Sequence, residues 1–238
     1  MYEHKKLRSK KLIQGKSLKV FYILGFIKKV NSYTLFTLIL LFTFFTTTAQ
    51  EHSSKMSIGV FYGNGSEDRF PFNSPSYRHK VNLFRVELNY LMKQHKNWSY
   101  ELLVAPEYSV SKHQFNNMLL MESANAESHS EINNQYLYEK KIIGFGLNFG
   151  GIIRYSILKP FNSYALISVG PMINSTSTER LANGFSFVDV FSLGLSYRLN
   201  RISLDFRYGI RHLSNLNIQN PNAGHNSTIL KFGTTFHF

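Results

Sequence analysis

Phe185-Ser186-Phe187-Val188-Asp189-Val190-Phe191-Ser192-Leu193-Gly194-Leu195-Ser196-Tyr197-Arg198 decides the fold. Large apolar residues fall on one parity: Phe185, Phe187, Phe191, Leu193, Leu195 and Tyr197. Ser186, Ser192, Gly194 and Ser196 fall on the other. Side chains two apart share a face in a strand, so this is a strand with two unlike faces. A soluble sandwich has no reason to carry Gly and Ser on its outward face. A small transmembrane barrel does, because lipid meets its large apolar face and a narrow lumen takes the small and polar one. Asp189 breaks the apolar face, where a carboxylate is costly in lipid.

Seven further runs repeat the pattern. They are Met56–Tyr62, His79–Met92, Trp98–Tyr108, Lys141–Ile157, Ser163–Asn174, Arg201–Leu213 and Ser227–Phe238. The small-residue face also carries charge, with Arg85, Glu87, Glu101, Glu107, Arg154, Asp205, Arg207 and Arg211. These predict a packed ion-pair network that fills the lumen, since eight strands leave little open bore. The links alternate strictly. Short ones fall near Lys93–Asn97, Leu158–Asn162 and Leu199-Asn200. Long ones are Gly63–Arg78, Ser109–Lys140, Ser175–Gly184 and Ser214–Asn226. That is the rhythm of periplasmic turns and extracellular loops, with both termini inside. Tyr90, Trp98, Tyr100, Tyr155 and Tyr197 lie near the short turns, as an interfacial aromatic girdle does. The expected fold is all-β: an eight-stranded antiparallel transmembrane β-barrel over residues 50–238.

Residues 1–49 read as a cleaved signal segment. Basic residues run from Lys5 to Lys29, an apolar stretch covers Leu35–Phe45, and Thr47-Thr48-Ala49 offers a small-residue cleavage site. The apolar stretch is too short to span a bilayer, which takes about 20 residues. The segment holds nine Lys/Arg against one acid, so most of the formal +13 is local to it; the remainder holds 18 basic and 13 acidic residues. That balance, with no recognition motif, gives no case for nucleic acid. The chain has no cysteine, which excludes disulfides, thiolate metal sites and a lipoprotein anchor.

The seventh run ends in Arg211-His212-Leu213-Ser214-Asn215, and the chain continues to Pro221-Asn222-Ala223-Gly224-His225-Asn226. His212 and Ser214 continue the lipid-facing parity of Ile202, Leu204, Phe206, Tyr208 and Ile210, at the extracellular end. Asn226 opens the eighth run in the same phase. A Ser–His pair there can attack an acyl ester, with His212 taking the hydroxyl proton and Ser214 attacking the carbonyl. The amides of Asn215 and Asn222, or backbone N–H groups of the turn, are candidate oxyanion donors. An isolated His-x-Ser carries little weight, and Asn, Pro and Gly also suit a plain loop.

The spaced string of His212, Ser214, Asn215, Pro221, Asn222, Gly224 and Asn226 resembles the signature of the lipid A 3-O-deacylase (PagL-type) outer-membrane family. Gly146-Leu147-Asn148-Phe149-Gly150, Arg154-Tyr155 and Lys159-Pro160-Phe161 look like the middle of such chains. The resemblance implies an eight-stranded outer-membrane barrel that hydrolyses an ester-linked acyl chain of lipid A in the outer leaflet. It implies His212 as base, Ser214 as nucleophile and an acid at position 226. This chain has Asn226 instead. Asp189 is one candidate for another acid. With Leu199-Asn200 as a two-residue turn, Phe187 falls opposite His212 and Asp189 opposite Ile210, a diagonal neighbour of the imidazole.

No metal or diffusible cofactor is expected for such chemistry. The other histidines, His95, His113, His129, His225 and His237, show no ligand spacing and are expected as loop or lumen residues. Arg69, Arg78, Lys80, Lys112 and Arg180 are candidates to hold lipid A phosphates. Two further readings stand beside the esterase: a non-enzymatic outer-membrane barrel that has lost the acid, and a soluble lipocalin-like carrier with its apolar face inside.

Overall fold

A computed structural model of the chain describes residues 55–116 and 138–238. The expected signal segment and most of the link Ser109–Lys140 lie outside the described residues. Eight strands close into one antiparallel barrel in chain order. They are β1 (Met56–Ser66), β2 (Tyr77–His95), β3 (Trp98–Phe115), β4 (Lys140–Leu158), β5 (Phe161–Asn174), β6 (Gly184–Leu199), β7 (Ile202–Ser214) and β8 (His225–His237). β1 closes the ring on β8, with Tyr62 opposite Phe232. The strands overrun the expected runs mainly at the long-loop ends. β3 in particular continues to Phe115 through residues expected as loop, because Ser109, Ser111 and His113 still point alternately into the lumen.

The faces divide as the alternation requires. Phe84, Leu88, Phe149, Ile153, Phe191, Leu193, Phe206 and Phe232 are exposed on the outer wall. Exposed apolar side chains over the whole circumference of a closed barrel are a lipid-facing surface, and they exclude the lipocalin reading, which needs the apolar face inside. Trp98 stacks near Tyr155 at 4.8 Å and Phe161 near Tyr197 at 4.8 Å, all beside the short turns. This is the expected girdle.

Inside, the charges form one connected network. Arg207 forks onto Glu87 at 2.6 and 2.8 Å. Arg85 pairs with Glu87 at 3.0 Å and with Glu107 at 3.5 Å, and Arg211 reaches Glu107 at 3.2 Å. Near the short-turn end, Arg154 pairs with Glu101 at 2.8 Å. Tyr164 donates to Asp205 and accepts from Arg207 at 2.6 Å. Gly194 makes room for that phenol, since a Cβ there would lie 2.3 Å from the Tyr164 ring. Small residues on the lumen face thus follow from the volume of the buried Arg, Tyr and Phe61 side chains.

At the long-loop end of the lumen, His113 and His225 do converge, and His79 joins them. The absence of helical spacing between them conceals this, because the three come from β2, β3 and β8.

Candidate functional site

The site rests on the β6–β7 hairpin and the β7–β8 loop. The hairpin turns on Asn200-Arg201, with Leu199 paired to Ile202. Asn200 adopts φ 55, a left-handed conformation that Asn tolerates. The turn was expected one residue earlier, at Leu199-Asn200. Moving it by one residue moves every cross-strand partner by two. The faces are therefore kept but the pairs change: Asp189 lies directly opposite His212, and Phe187 opposite Ser214. Directly opposed side chains have Cβ atoms about 4.5–5.5 Å apart, closer than the expected diagonal. Asp189 is exposed on the outer wall, as its parity required.

On the other flank, His212 pairs with Asn226 of β8. The His212 Nδ1–H donates to Asn226 Oδ1 at 2.7 Å. An amide oxygen can only accept, so Nδ1 carries a proton, and in the neutral ring Nε2 holds the lone pair. Gly224, at φ 68, closes over the ring, and a Cβ there would stand 3.0 Å from His212 Cε1. No other residue type fits both that backbone and that clearance.

His212, Asp189 and Asn226 line a depression of about 430 Å³ on the outer wall of β4–β8. Its remaining side-chain walls include Phe149, Ile167, Val169, Phe191, Ile210 and Phe72. Phe72 arrives from the β1–β2 loop, which folds down over the barrel. Tyr208 and Thr228 donate to the Phe70 carbonyl at 2.6 and 2.9 Å, and Thr228 also to the Arg69 carbonyl. No residue pattern announced this strap. Only its Pro and Gly content marked a turning segment.

Ser214 ends β7 on the same parity as His212 but is nearly covered. Among the described residues no hydrogen bond joins its hydroxyl to the imidazole. The two amides expected as oxyanion donors are engaged within the β7–β8 loop. Asn222 Oδ1 accepts from the Asn215 backbone N–H at 2.7 Å, and its amide donates to Asn217. The Asn215 amide donates to the Gln219 carbonyl at 2.7 Å. Both side chains here shape the loop, because its backbone groups have no ladder partner and must find side-chain ones.

The expected phosphate-holding cations also divide. Arg180 donates to the Gly224 and Ala223 carbonyls at 2.8 and 3.2 Å and stacks on Tyr77, so it braces the loop over His212. Lys112 pairs with Glu139, and Arg69 bonds Asn64. Arg78 and Lys80 stand exposed on the outer face of β2.

The family model for lipid A 3-O-deacylase (PagL) matches residues 84–235. No curated protein matches the sequence. Among solved structures, the barrel is similar to the outer membrane enzyme PagL, at 13% identity and TM-score 0.46, over 74% of this chain and 97% of that one. It is similar to Neisserial surface protein A at 15% identity and TM-score 0.46, over 79% of this chain and 100% of that one. The Yersinia pestis protein Ail follows at 13% identity and TM-score 0.37, over 77% and 96%. The family match spans more than half of the chain, from β2 to β8: this outer-membrane β-barrel belongs to the lipid A 3-O-deacylase (PagL) family.

Proposed function

We propose that the chain hydrolyses an ester-linked acyl chain of lipid A at the outer wall of β6–β8. The observation that carries this is the 2.7 Å bond from His212 Nδ1–H to Asn226 Oδ1. It fixes the imidazole in the tautomer a general base needs, with Nε2 free. His212 Nε2 takes the Ser214 Oγ proton while Oγ bonds to the ester carbonyl carbon. The tetrahedral adduct collapses, the acyl–sugar C–O bond breaks, and the sugar hydroxyl leaves with the proton from His212. Water, deprotonated by His212, then attacks the acyl-Ser214 carbonyl, releases the fatty acid and returns the proton to Ser214.

The apolar depression beside His212 suits an acyl chain, since Phe149, Ile167, Val169 and Phe191 extend its wall along the membrane face. Asn226 and Asp189 act as positioning residues. Asn226 orients the ring, and Asp189, directly across the strand pair, supplies the negative charge that an amide at position 226 lacks. Substrate binding brings the Ser214 hydroxyl onto Nε2; catalytic hydrogen bonds commonly tighten only in the complex.

One observation favours a second reading, a barrel that has given up catalysis. Asn226 occupies the position at which the resemblance implies an acid. A fluorophosphonate that labels activated serines separates the two. The expected result is a covalent adduct on the peptide bearing Ser214, lost in His212→Ala. A folded barrel that takes no adduct at Ser214 would favour the non-enzymatic reading.

A further inference from the structure

Three buried histidines from three strands meet at the extracellular end of the lumen. His79 (β2), His113 (β3) and His225 (β8) are each about 1% exposed or less. One ring nitrogen from each lies within 4.8 Å of the others. Their surroundings are arranged unevenly. The Nε2 atoms of two are held: His113 Nε2–H donates to Glu179 Oε1 at 2.7 Å, and His225 Nε2 bonds Thr178 Oγ1 at 3.1 Å. Both holders come from the β5–β6 loop. The remaining nitrogens, Nδ1 of His113, Nδ1 of His225 and both of His79, are buried without a partner. An orphaned buried polar atom is costly, and here four belong to three clustered rings.

We propose that His79, His113 and His225 form a binding site for a divalent transition metal of the Zn²⁺ type. Imidazole nitrogen suits Zn²⁺, Ni²⁺ and Cu²⁺. A histidine that binds metal through one nitrogen typically has the other held by a carboxylate or another polar group, as Glu179 holds His113 and Thr178 holds His225. Zn–N bonds are about 2.0–2.1 Å, so ligand nitrogens in a tetrahedral site lie about 3.4 Å apart. The present spacing, within 4.8 Å, therefore closes by up to about 1.4 Å when the ion binds. His79 and His225 are stacked with an interplanar angle of 5° and centroids 4.4 Å apart, so closure tilts His79 out of that stack. The charge around the site is mixed. Glu179 and Glu67 face it with Arg180 and Arg211, and Arg211 is already paired with Glu107. Glu67 accepts the His79 backbone N–H and so holds that ligand's strand in place.

The site also lies back to back with the outer one. His225 precedes Asn226, and the two point to opposite faces of β8. A metal would tie β2, β3 and β8 to the β5–β6 loop, whose Arg180 braces Gly224 over His212. It would fix the lumen end of the barrel independently of whether Ser214 is active.

The test is Co²⁺ titration of the full protein, purified from membranes in detergent and stripped with a chelator. The proposal predicts one Co²⁺ per barrel, ligand-field absorption of a four-coordinate nitrogen-rich site, and displacement by Zn²⁺. His79→Gln, His113→Gln and His225→Gln each weaken binding by about tenfold or more, while His95→Gln, in the exposed short-turn region, leaves it unchanged. Glu179→Gln, outside the strand ladder, keeps the fold testable and weakens binding by about 10–100-fold. Absence of stoichiometric binding by the wild type would overturn the proposal. So would folded single-histidine variants, or Glu179→Gln, that bind Co²⁺ as tightly as the wild type.

Discussion

His212 stands between neighbours of opposite kind, the neutral amide of Asn226 on β8 and the carboxylate of Asp189 on β6. An amide holds the ring but cannot offset the charge of an imidazolium. Asp→Asn at the orienting acid of a serine protease lowers turnover by roughly 10⁴. Asp189→Asn is accordingly expected to lower deacylation by about 10²–10⁴ without changing the amount of folded barrel. Turnover on a defined lipid A substrate measures it, and an unchanged rate would remove Asp189 from the mechanism. Asn226→Glu should act in the opposite direction and raise turnover, since it puts a carboxylate on Nδ1. Gly224→Ala combines a strained φ with a methyl pressed on His212 Cε1. It should cost more in turnover than in heat stability, and comparing the two readouts checks this.

At the scale of elements, the alternation of side chains in β6 and β7 was enough to assign both strands and the faces of His212, Ser214 and Asp189. Parity depends only on a period of two, and it survived the misplaced turn. The pairing did not survive, because the hairpin register depends on whether Leu199 or Asn200 opens the turn. The positive φ of Asn200 is a local preference that the pattern alone does not rank. The strap formed by the β1–β2 loop was beyond the sequence for a different reason. It is held by backbone carbonyls of Arg69 and Phe70, which carry no side-chain signature. Phe72→Ala should widen the acyl depression and shift preference toward longer or branched chains. A panel of lipid A species of different chain length measures that shift. In the same loop, burial pushes the Glu67 carboxyl above its ordinary value. Its contribution to stability is then full at pH values below the ordinary carboxylate range and lost as pH rises through the raised value. Against Glu67→Gln, the wild type should lose heat stability as pH climbs, and the variant should stay flat over that window.

Over the whole molecule, the lumen and the outer wall carry different obligations. The lumen holds the buried cations Arg85, Arg207 and Arg211, and it pairs them with Glu87 and Glu107. Removing one member leaves an uncompensated buried charge, at about 3–5 kcal/mol. Glu87→Gln should therefore lower the temperature at which the barrel loses its compact electrophoretic form in SDS. The existence of this network was legible from charges on the small-residue face, whereas its pairings, and the meeting of three histidines from distant strands, depend on barrel closure. The proposed chemistry lies on the outer wall, where the resemblance carried His212, Ser214 and Asn226, the alternation named Asp189, and the fold added Asp189's direct pairing with His212 and the approach of Phe72. The central claim is that Ser214 and His212 cleave lipid A. Mass spectrometry of lipid A from Gram-negative cells expressing the wild type, His212→Ala or Ser214→Ala tests it most directly. The account predicts loss of one ester-linked hydroxyacyl group with the wild type alone. Unchanged lipid A beside a folded wild-type barrel in the outer membrane would contradict it.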